Sequence, residues 1–116
     1  MAKFLFIYRS NIETVGKLSP DKMQKHMDKW RAWIGEGLQK GWMVESGDAL
    51  TPEGRVVGAK VVTDGPFVES KELVGGFSIV EADTIETAAR HGKGCPGLEL
   101  GGTVEVRPLA GYSMKC

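Results

Sequence analysis

The sequence is poor in the features that mark several classes of protein. Its two cysteines, Cys95 and Cys116, lie far apart, which excludes a disulfide framework and a cysteine-based metal motif. The apolar run at residues 4–8 is far shorter than the roughly 18 residues of a membrane span, and too short for a signal peptide. The 15 basic and 15 acidic residues cancel, which removes any general attraction to nucleic acid or anionic membranes. We therefore expect a cytoplasmic protein with no membrane or nucleic-acid partner, no metal and no cofactor.

Length and composition predict a single domain over residues 1–116. A chain of 116 residues, of which 41% are hydrophobic, buries about two-thirds of its unfolded surface, which suffices for one core. Glycine is in excess, with 16 residues where an average chain of this length has about eight. Nine of these glycines lie at or after Gly65, which indicates tight backbone geometry in the second half of the chain.

Hydrophobic patterns predict seven elements along the chain. The run KFLFIYR is typical of a central strand that is buried on both faces. Ser19 and Pro20 are typical of a helix start, and Gly41 of a helix end. Gly58 within VVGAKVVT indicates a bulge in an outer strand. The predicted elements are a strand over 3–9, a helix over 20–40, strands over 42–45, 56–63 and 73–82, a helix from 83 to about 90, and a strand over 103–109.

This order predicts an α+β fold of the ferredoxin-like type, the split βαβ plan with one additional hairpin strand. Right-handed connections place both helices on one face of an antiparallel sheet. The other face is then bare, and a second copy that packs sheet to sheet covers it most simply. We therefore expect a homodimer.

The first predicted helix has a defined apolar stripe. Its members recur at spacings of four, three, four and four residues, and are Met23, Met27, Trp30, Ile34 and Leu38. The histidine at position 26 falls at the border of this stripe, beside the flank that holds Trp33. A histidine there is either packed at the edge of the core, or titrates near neutral pH and reaches into a cleft.

Residues 64–67, DGPF, combine the chemistry of a rigid turn with a carboxylate at a strand end. Pro66 fixes its own backbone angle, and Gly65 tolerates angles that other residues avoid. Phe67 then serves either as a core anchor or as a contact for a ligand. Asp64 accepts backbone hydrogen bonds in the turn, and is also placed to act as a general base or to bind a cationic group.

The stretch VTDGPFVESKELVGGF at residues 62–77 resembles the DGPF subgroup of the YCII-related proteins. The shared pattern is D-G-P-F-x-E-x-K-E followed by a Gly-Gly pair. The segments CPGLE at 95–99 and VEVRP at 104–108 are similar to the closing segments of that family. The resemblance spans nearly the whole chain.

The resemblance implies a dimeric α/β barrel of ferredoxin-like domains, cytoplasmic, with suspected enzymatic activity and no established substrate. It also implies a histidine on the first helix that pairs with an acidic residue in a cleft, a position that His26 occupies. Members of the DGPF subgroup are linked to extracytoplasmic-function sigma factors. A role in transcriptional regulation is therefore a second implication.

The candidate site residues follow from these observations. We predict His26 as the proton carrier, oriented by Asp64 or by Asp48. Lys71 or Arg107 would neutralise an anionic ligand group, although Arg107 is equally suited to pair with a glutamate of its own chain. Further ligand contacts are predicted at Glu69 and Phe67. Glu69 and Lys71 are otherwise an exposed ion pair of little chemical interest.

Two functions are therefore predicted from the sequence. The first is a small-molecule-binding domain with a cleft near the DGPF turn and His/Asp acid–base chemistry. The second is a regulatory or protein-interaction module without turnover, with a partner such as a sigma factor.

Overall fold

A computed structural model of the protein describes residues 1–65 and 72–111. Within these ranges the chain forms six strands, three α-helices and one 3₁₀ helix. They are β1 (Ala2–Asn11), α1 (Ile12–Gly16), α2 (Pro20–Lys40), β2 (Met43–Ala49), β3 (Gly54–Val57), β4 (Val62–Gly65), β5 (Glu72–Ala82), α3 (Ile85–Gly92), the 3₁₀ helix (Pro96–Leu100) and β6 (Thr103–Pro108).

Four of the strands form an antiparallel sheet in the order β2-β5-β1-β6. The predicted α+β class is confirmed, and this strand order is compatible with the ferredoxin-like plan. Neither described sheet closes on itself. Strand β1 occupies an interior position, as its apolar run predicts. An apolar run is stabilised most where neighbouring strands and packed side chains remove it from water.

The core lies between one face of this sheet and the helices. Phe4, Phe6 and Tyr8 point to this face because alternate residues of a strand share a side. Trp33 of α2 and Ala88 of α3 pack against them. On the opposite face Leu5 and Ile7 are only half buried. The prediction that β1 is buried on both faces therefore does not hold for this face of the single chain.

Helix α2 begins and ends where its capping residues predict. The Ser19 side chain accepts a hydrogen bond from the backbone N–H of Lys22, and Pro20 follows at the first helical position. Gly41 ends the helix in the left-handed conformation, with φ of 87°.

The buried face of α2 differs from the predicted stripe. Trp33 and Gly37 are the residues that α2 buries, whereas Met27 is 39% and Leu38 is 48% exposed. Trp30 and Ile34 of the predicted stripe are partly buried against the core. Because Gly37 has no side chain, Trp42 and Met43 approach the helix there, and an added Cβ would lie 2.8 Å from the Trp42 ring.

The predicted single strand over 56–63 is wrong, because the chain forms a hairpin there. Strands β3 and β4 pair with each other in a separate two-stranded sheet. Gly58 lies in the turn between them, where its N–H donates to the carbonyl of Val61 at 2.7 Å. The residue read as a strand bulge is therefore part of a hairpin turn.

The Gly75-Gly76 pair confirms the predicted close backbone approach. Opposite β1 the register of β5 passes from Gly76 to Val74 between Tyr8 and Arg9, so Gly75 is the extra residue of a bulge. An added Cβ at Gly76 would lie 2.9 Å from the Asp48 carbonyl oxygen of β2. Glycine thus allows β2 to pack closely against β5.

The second predicted helix is confirmed as α3, with its cap one residue later than Asp83. The Thr84 side chain accepts from the backbone N–H of Thr87 and is the N-cap. Among the described residues, no helix combines the length and the apolar character that crossing a membrane requires.

Candidate functional site

The predicted proton carrier lies at the outer end of a row of rings, which we call the His26 corner and define by Tyr8, His26 and Trp30. His26 is half buried on α2. The Trp30 indole Nε1–H donates to His26 Nε2 at 3.0 Å. The Trp30 ring also packs edge-on against buried Tyr8, with ring centroids 4.8 Å apart. A border histidine is therefore tied to the core by a residue one helical turn away.

The Trp30 bond determines the tautomer of His26. Since an indole N–H only donates, Nε2 must be the unprotonated nitrogen, and the imidazole proton resides on Nδ1. Burial lowers the pKa of His26, while the nearby Glu99 carboxylate acts in the opposite direction. His26 is therefore a neutral imidazole at pH 7, with Nδ1–H as its available donor.

We expect replacement of Trp30 by phenylalanine to raise the pKa of His26. The variant loses the donor that favours an unprotonated Nε2, and the smaller ring covers the imidazole less. In the wild type the pKa of the imidazole should lie below its ordinary value of about 6.5. His26 should therefore become protonated only at a lower pH than an unperturbed histidine. An NMR titration of both histidines measures the change, with His91 as the internal control. An unchanged His26 pKa in the variant would contradict the role given to this bond.

The two aspartates predicted to orient His26 lie elsewhere in the described structure. Asp64 is on β4, with a side chain that is 95% exposed and an oxygen 3.5 Å from Arg55 Nε. Asp48 is exposed on β2, and its Oδ1 accepts from the N–H of Ala49 at 2.8 Å. Among the described residues, neither aspartate bonds to His26, which is oriented by Trp30 instead.

Of the predicted ligand contacts, Arg107 is the one that lies within the described residues. Arg107 of β6 donates to Glu105 at 3.3 Å, so of the alternatives for this residue the structure shows the pair with Glu105. Arg9 also donates to Glu105, and these two guanidinium groups hold the pKa of Glu105 below its usual range. Phe67, Glu69 and Lys71 lie outside the described residues.

A buried polar chain that the sequence did not indicate lies behind the His26 corner. The Tyr8 hydroxyl donates to Ser78 Oγ at 2.8 Å, and Ser78 donates to the carbonyl of Ser46 at 2.7 Å. Burial raises the pKa of Tyr8 strongly, so the phenol remains protonated. With Tyr8 and Ser78 on different strands and 70 residues apart, no local pattern could reveal the pair.

Neither nucleophilic nor metal chemistry is favoured by the described residues. Cys95 is buried, and burial raises the pKa of its thiol to about 11, so the thiolate is scarce at neutral pH. Within residues 1–65 and 72–111, no three His, Cys, Asp or Glu side chains lie close enough to hold a metal ion.

One comparison with known protein families gives a match over most of the chain. The YCII-related domain model matches residues 3–111, nearly all of the 116-residue chain. The matched region includes β1, all of α2 with the His26 corner, and β6. No curated protein matches the chain. On the extent of the family match, this chain belongs to the YCII-related domain family.

Proposed function

We propose that this YCII-related domain is a member of the DGPF subgroup that binds a small molecule between His26 and the DGPF turn. The in-register pattern from Asp64 to Gly76 supports the subgroup. The observation that carries the proposal is the hydrogen bond from Trp30 to His26 Nε2. It fixes the tautomer of a half-buried imidazole whose pKa burial lowers, so the side chain is neutral at pH 7, the state that a proton acceptor requires.

In the proposed reaction a bound acid displaces the Trp30 N–H from Nε2 of His26 and transfers its proton to that nitrogen, because Nδ1 already carries a proton. The hydrogen bond from Trp30 does not re-form after the transfer, because a protonated Nε2 no longer accepts. The resulting imidazolium is stabilised by the field of Glu99, which already favours the charged form. Asp64 is proposed to approach the imidazolium when ligand is bound. Its exposed side chain has only the weak pair with Arg55 to give up.

The remaining family positions are proposed to hold the ligand. Lys71 or Arg107 would neutralise an anionic group, and Phe67 and Glu69 would contact the rest of the molecule. The Arg107 side chain is 67% exposed, so it is accessible to a ligand despite its bond to Glu105.

We expect replacement of His26 by alanine to abolish ligand binding at this site together with any turnover. A panel of small carboxylic, keto and phosphorylated acids is titrated into ¹⁵N-labelled protein, and signals of His26 and Trp30 are followed. Replacement of the neighbouring exposed Lys25 by alanine is the control, and should bind as the wild type does. A His26→Ala variant with the same ligands and the same turnover would refute the proposal.

A second candidate function, protein interaction, is favoured by the uncovered face of the sheet. Two cross-strand pairs occupy the centre of this face, Leu5 opposite Ile79 and Ile7 opposite Phe77. Phe77 is 37% exposed, and the other three are half buried. Apolar faces of this kind mark contact surfaces between proteins.

We propose that a second copy of the chain covers this face, and that two domains thereby form a dimeric α/β barrel. The surface of the chain, 8286 Å², exceeds the roughly 6,200 Å² of a folded monomer of 12.6 kDa. Its radius of gyration, 15.6 Å, likewise exceeds the roughly 13 Å of a monomer of this length. The excess surface, about 2,100 Å², is larger than the roughly 800 Å² that each partner buries in a stable interface.

The charges at the margin of the face suit self-association. Glu105 lies opposite Ile7, and Arg107 lies opposite Leu5, so both signs border the apolar centre. A twofold interface brings each surface against its own copy, and a face with both signs is complementary to itself. In the regulatory alternative a sigma factor or a similar partner would bind this face, which would then have to be free of a second copy of the chain.

A further inference from the structure

A groove on the helix layer, opposite the proposed dimer face, has the features of a second binding site. One wall is the stripe of α2 that contains Trp33 and Lys40, and the other wall runs from the last turn of α3 to the 3₁₀ helix. We call it the α2–α3 groove. Its cavity volume is about 570 Å³. Pockets that bind small molecules commonly have volumes of about 300–1,000 Å³.

The floor of the groove offers an indole N–H without a protein acceptor. Trp33 is 9% exposed and stacks on Phe6, and no described residue accepts from its Nε1–H. Every fully buried side-chain polar atom in the described structure has a partner, so Trp33 Nε1 is not fully buried, and Trp33 is one of the residues that line the groove. An added Cβ at Gly94 would lie 2.8 Å from Nε1. Glycine at position 94 therefore leaves the space over this donor open.

The groove also carries a cation without an acidic partner. Lys29 pairs with Glu99 at 2.9 Å, and Lys40 pairs with Glu36 at 2.6 Å. Arg90 forms no ion pair with any described carboxylate, so the lining has one positive charge in excess when its histidine is neutral. A guanidinium presents its donors in a fork that matches a carboxylate.

Aromatic rings complete the lining beside this cation. His91 stacks on Trp42 with ring centroids 4.4 Å apart and planes within 7° of parallel. Trp42 in turn contacts Trp33, with centroids 5.6 Å apart. Burial, with Arg90 and Lys40 beside it, lowers the pKa of His91, which is consistent with a positive field in the groove. The site thus combines ring surfaces with a donor set for an anion.

We propose that the α2–α3 groove binds a small aromatic carboxylate. The carboxylate accepts hydrogen bonds from the Arg90 guanidinium, and the aromatic ring lies against the half-buried rings of Trp42 and His91 that line the groove. The Trp33 Nε1–H donates to an oxygen of the ligand, which supplies the acceptor that the described chain lacks. The proposed ligand contacts, Arg90 and Trp33 Nε1, do not belong to the His26 corner, although Lys29 and Glu99 of the groove lining also act on His26 through their charges.

The proposal is tested by titrating sodium benzoate into ¹⁵N-labelled protein and following the Trp33 indole signal. We expect replacement of Arg90 by glutamine to weaken benzoate binding about tenfold, the effect of losing one charge-assisted contact. The matched control is Arg31→Gln, which removes the same charge from an α2 residue outside the groove lining. Gly94→Ala, which places a methyl group over the indole nitrogen, should also weaken binding. Its folded state is checked by the amide spectrum.

Two further ligands separate the parts of the proposal. Benzamide retains the ring but lacks the charge, and inorganic phosphate retains charge without the ring. Both should bind at least about fivefold more weakly than benzoate, since each loses one class of contact. Absence of benzoate binding at millimolar concentration would overturn the proposal, as would equal affinity for benzamide or phosphate. Equal weakening by Arg31→Gln would also overturn it. Shifts confined to His26 and Trp30 would overturn it as well, and would instead support ligand binding at the His26 site.

Discussion

Replacement of Phe6 by alanine is expected to remove about 3–5 kcal/mol from the free energy of unfolding. Phe6 is fully buried at the centre of the core. Its ring stacks on Trp33 and meets Tyr8 edge-on, with centroids 6.5 Å and 6.3 Å away. The smaller side chain leaves a cavity that close-packed neighbours on both layers cannot fill. For a small domain with a total stability of about 5–15 kcal/mol, this is a large fraction.

The loss is measured by urea denaturation with tryptophan fluorescence, at one fixed protein concentration, because association would couple unfolding to concentration. Leu38→Ala is the control, since Leu38 is 48% exposed on α2 and its truncation should cost less than about 1 kcal/mol. A Phe6→Ala variant as stable as this control would contradict the placement of the core between β1 and α2.

The parts of the fold that were predicted correctly are those that depend on local chemistry. Ser19, Pro20 and Gly41 bound α2 because caps satisfy backbone groups within one helical turn. The Gly75-Gly76 pair marks a close approach of neighbouring strands, because an added Cβ at Gly76 would lie 2.9 Å from the Asp48 carbonyl oxygen. Both signals are complete within a few residues, so the sequence displays them without any knowledge of tertiary contacts.

The errors arose where the fold overrides or hides the local pattern. The segment VVGAKVVT has the β-branched residues that are typical of a strand. Its composition does not distinguish one continuous strand from a hairpin with a turn at 58–61. The predicted stripe of α2 included Met27 and Leu38, but the helix packs on the flank of Trp33, where Gly37 permits close contact. Helix α1 was not predicted, because five polar and mixed residues show no periodicity, although Asn11 caps it.

The candidate site likewise has some features that the local sequence indicates and others that only the folded chain shows. The half-buried position of His26 followed from its angle on the helix, and its bond to Trp30 spans only four residues. That bond was not predicted, although its i, i+4 spacing is a local signal that could have indicated it. The field of Glu99 and the Tyr8–Ser78 bond join residues about 70 positions apart, and only the folded chain brings them together. Asp64 was placed at a strand end correctly, but its contact with Arg55 depends on the hairpin that was missed.

Replacement of Ile79 by lysine is expected to convert the protein from a dimer to a folded monomer. Ile79 lies on β5 opposite Leu5, at the centre of the face that we propose a second copy covers. In a monomer this face meets water, so the introduced ammonium is solvated and the fold is retained. In a dimer two ammonium groups, one from each copy, would be buried at the apolar centre, which lowers the association constant at least about a hundredfold even with Glu45 of β2 opposite each of them.

Light scattering coupled to size exclusion measures the mass directly. The wild type should give twice 12.6 kDa, and the Ile79→Lys variant should give 12.6 kDa with an unchanged amide spectrum. The matched control is Ile85→Lys, because Ile85 is 41% exposed at the start of α3 on the helix layer, away from this face. A wild type that remains at 12.6 kDa at all concentrations would refute the dimer. A control that dissociates as fully as Ile79→Lys would place the contact on the helix layer instead of the sheet.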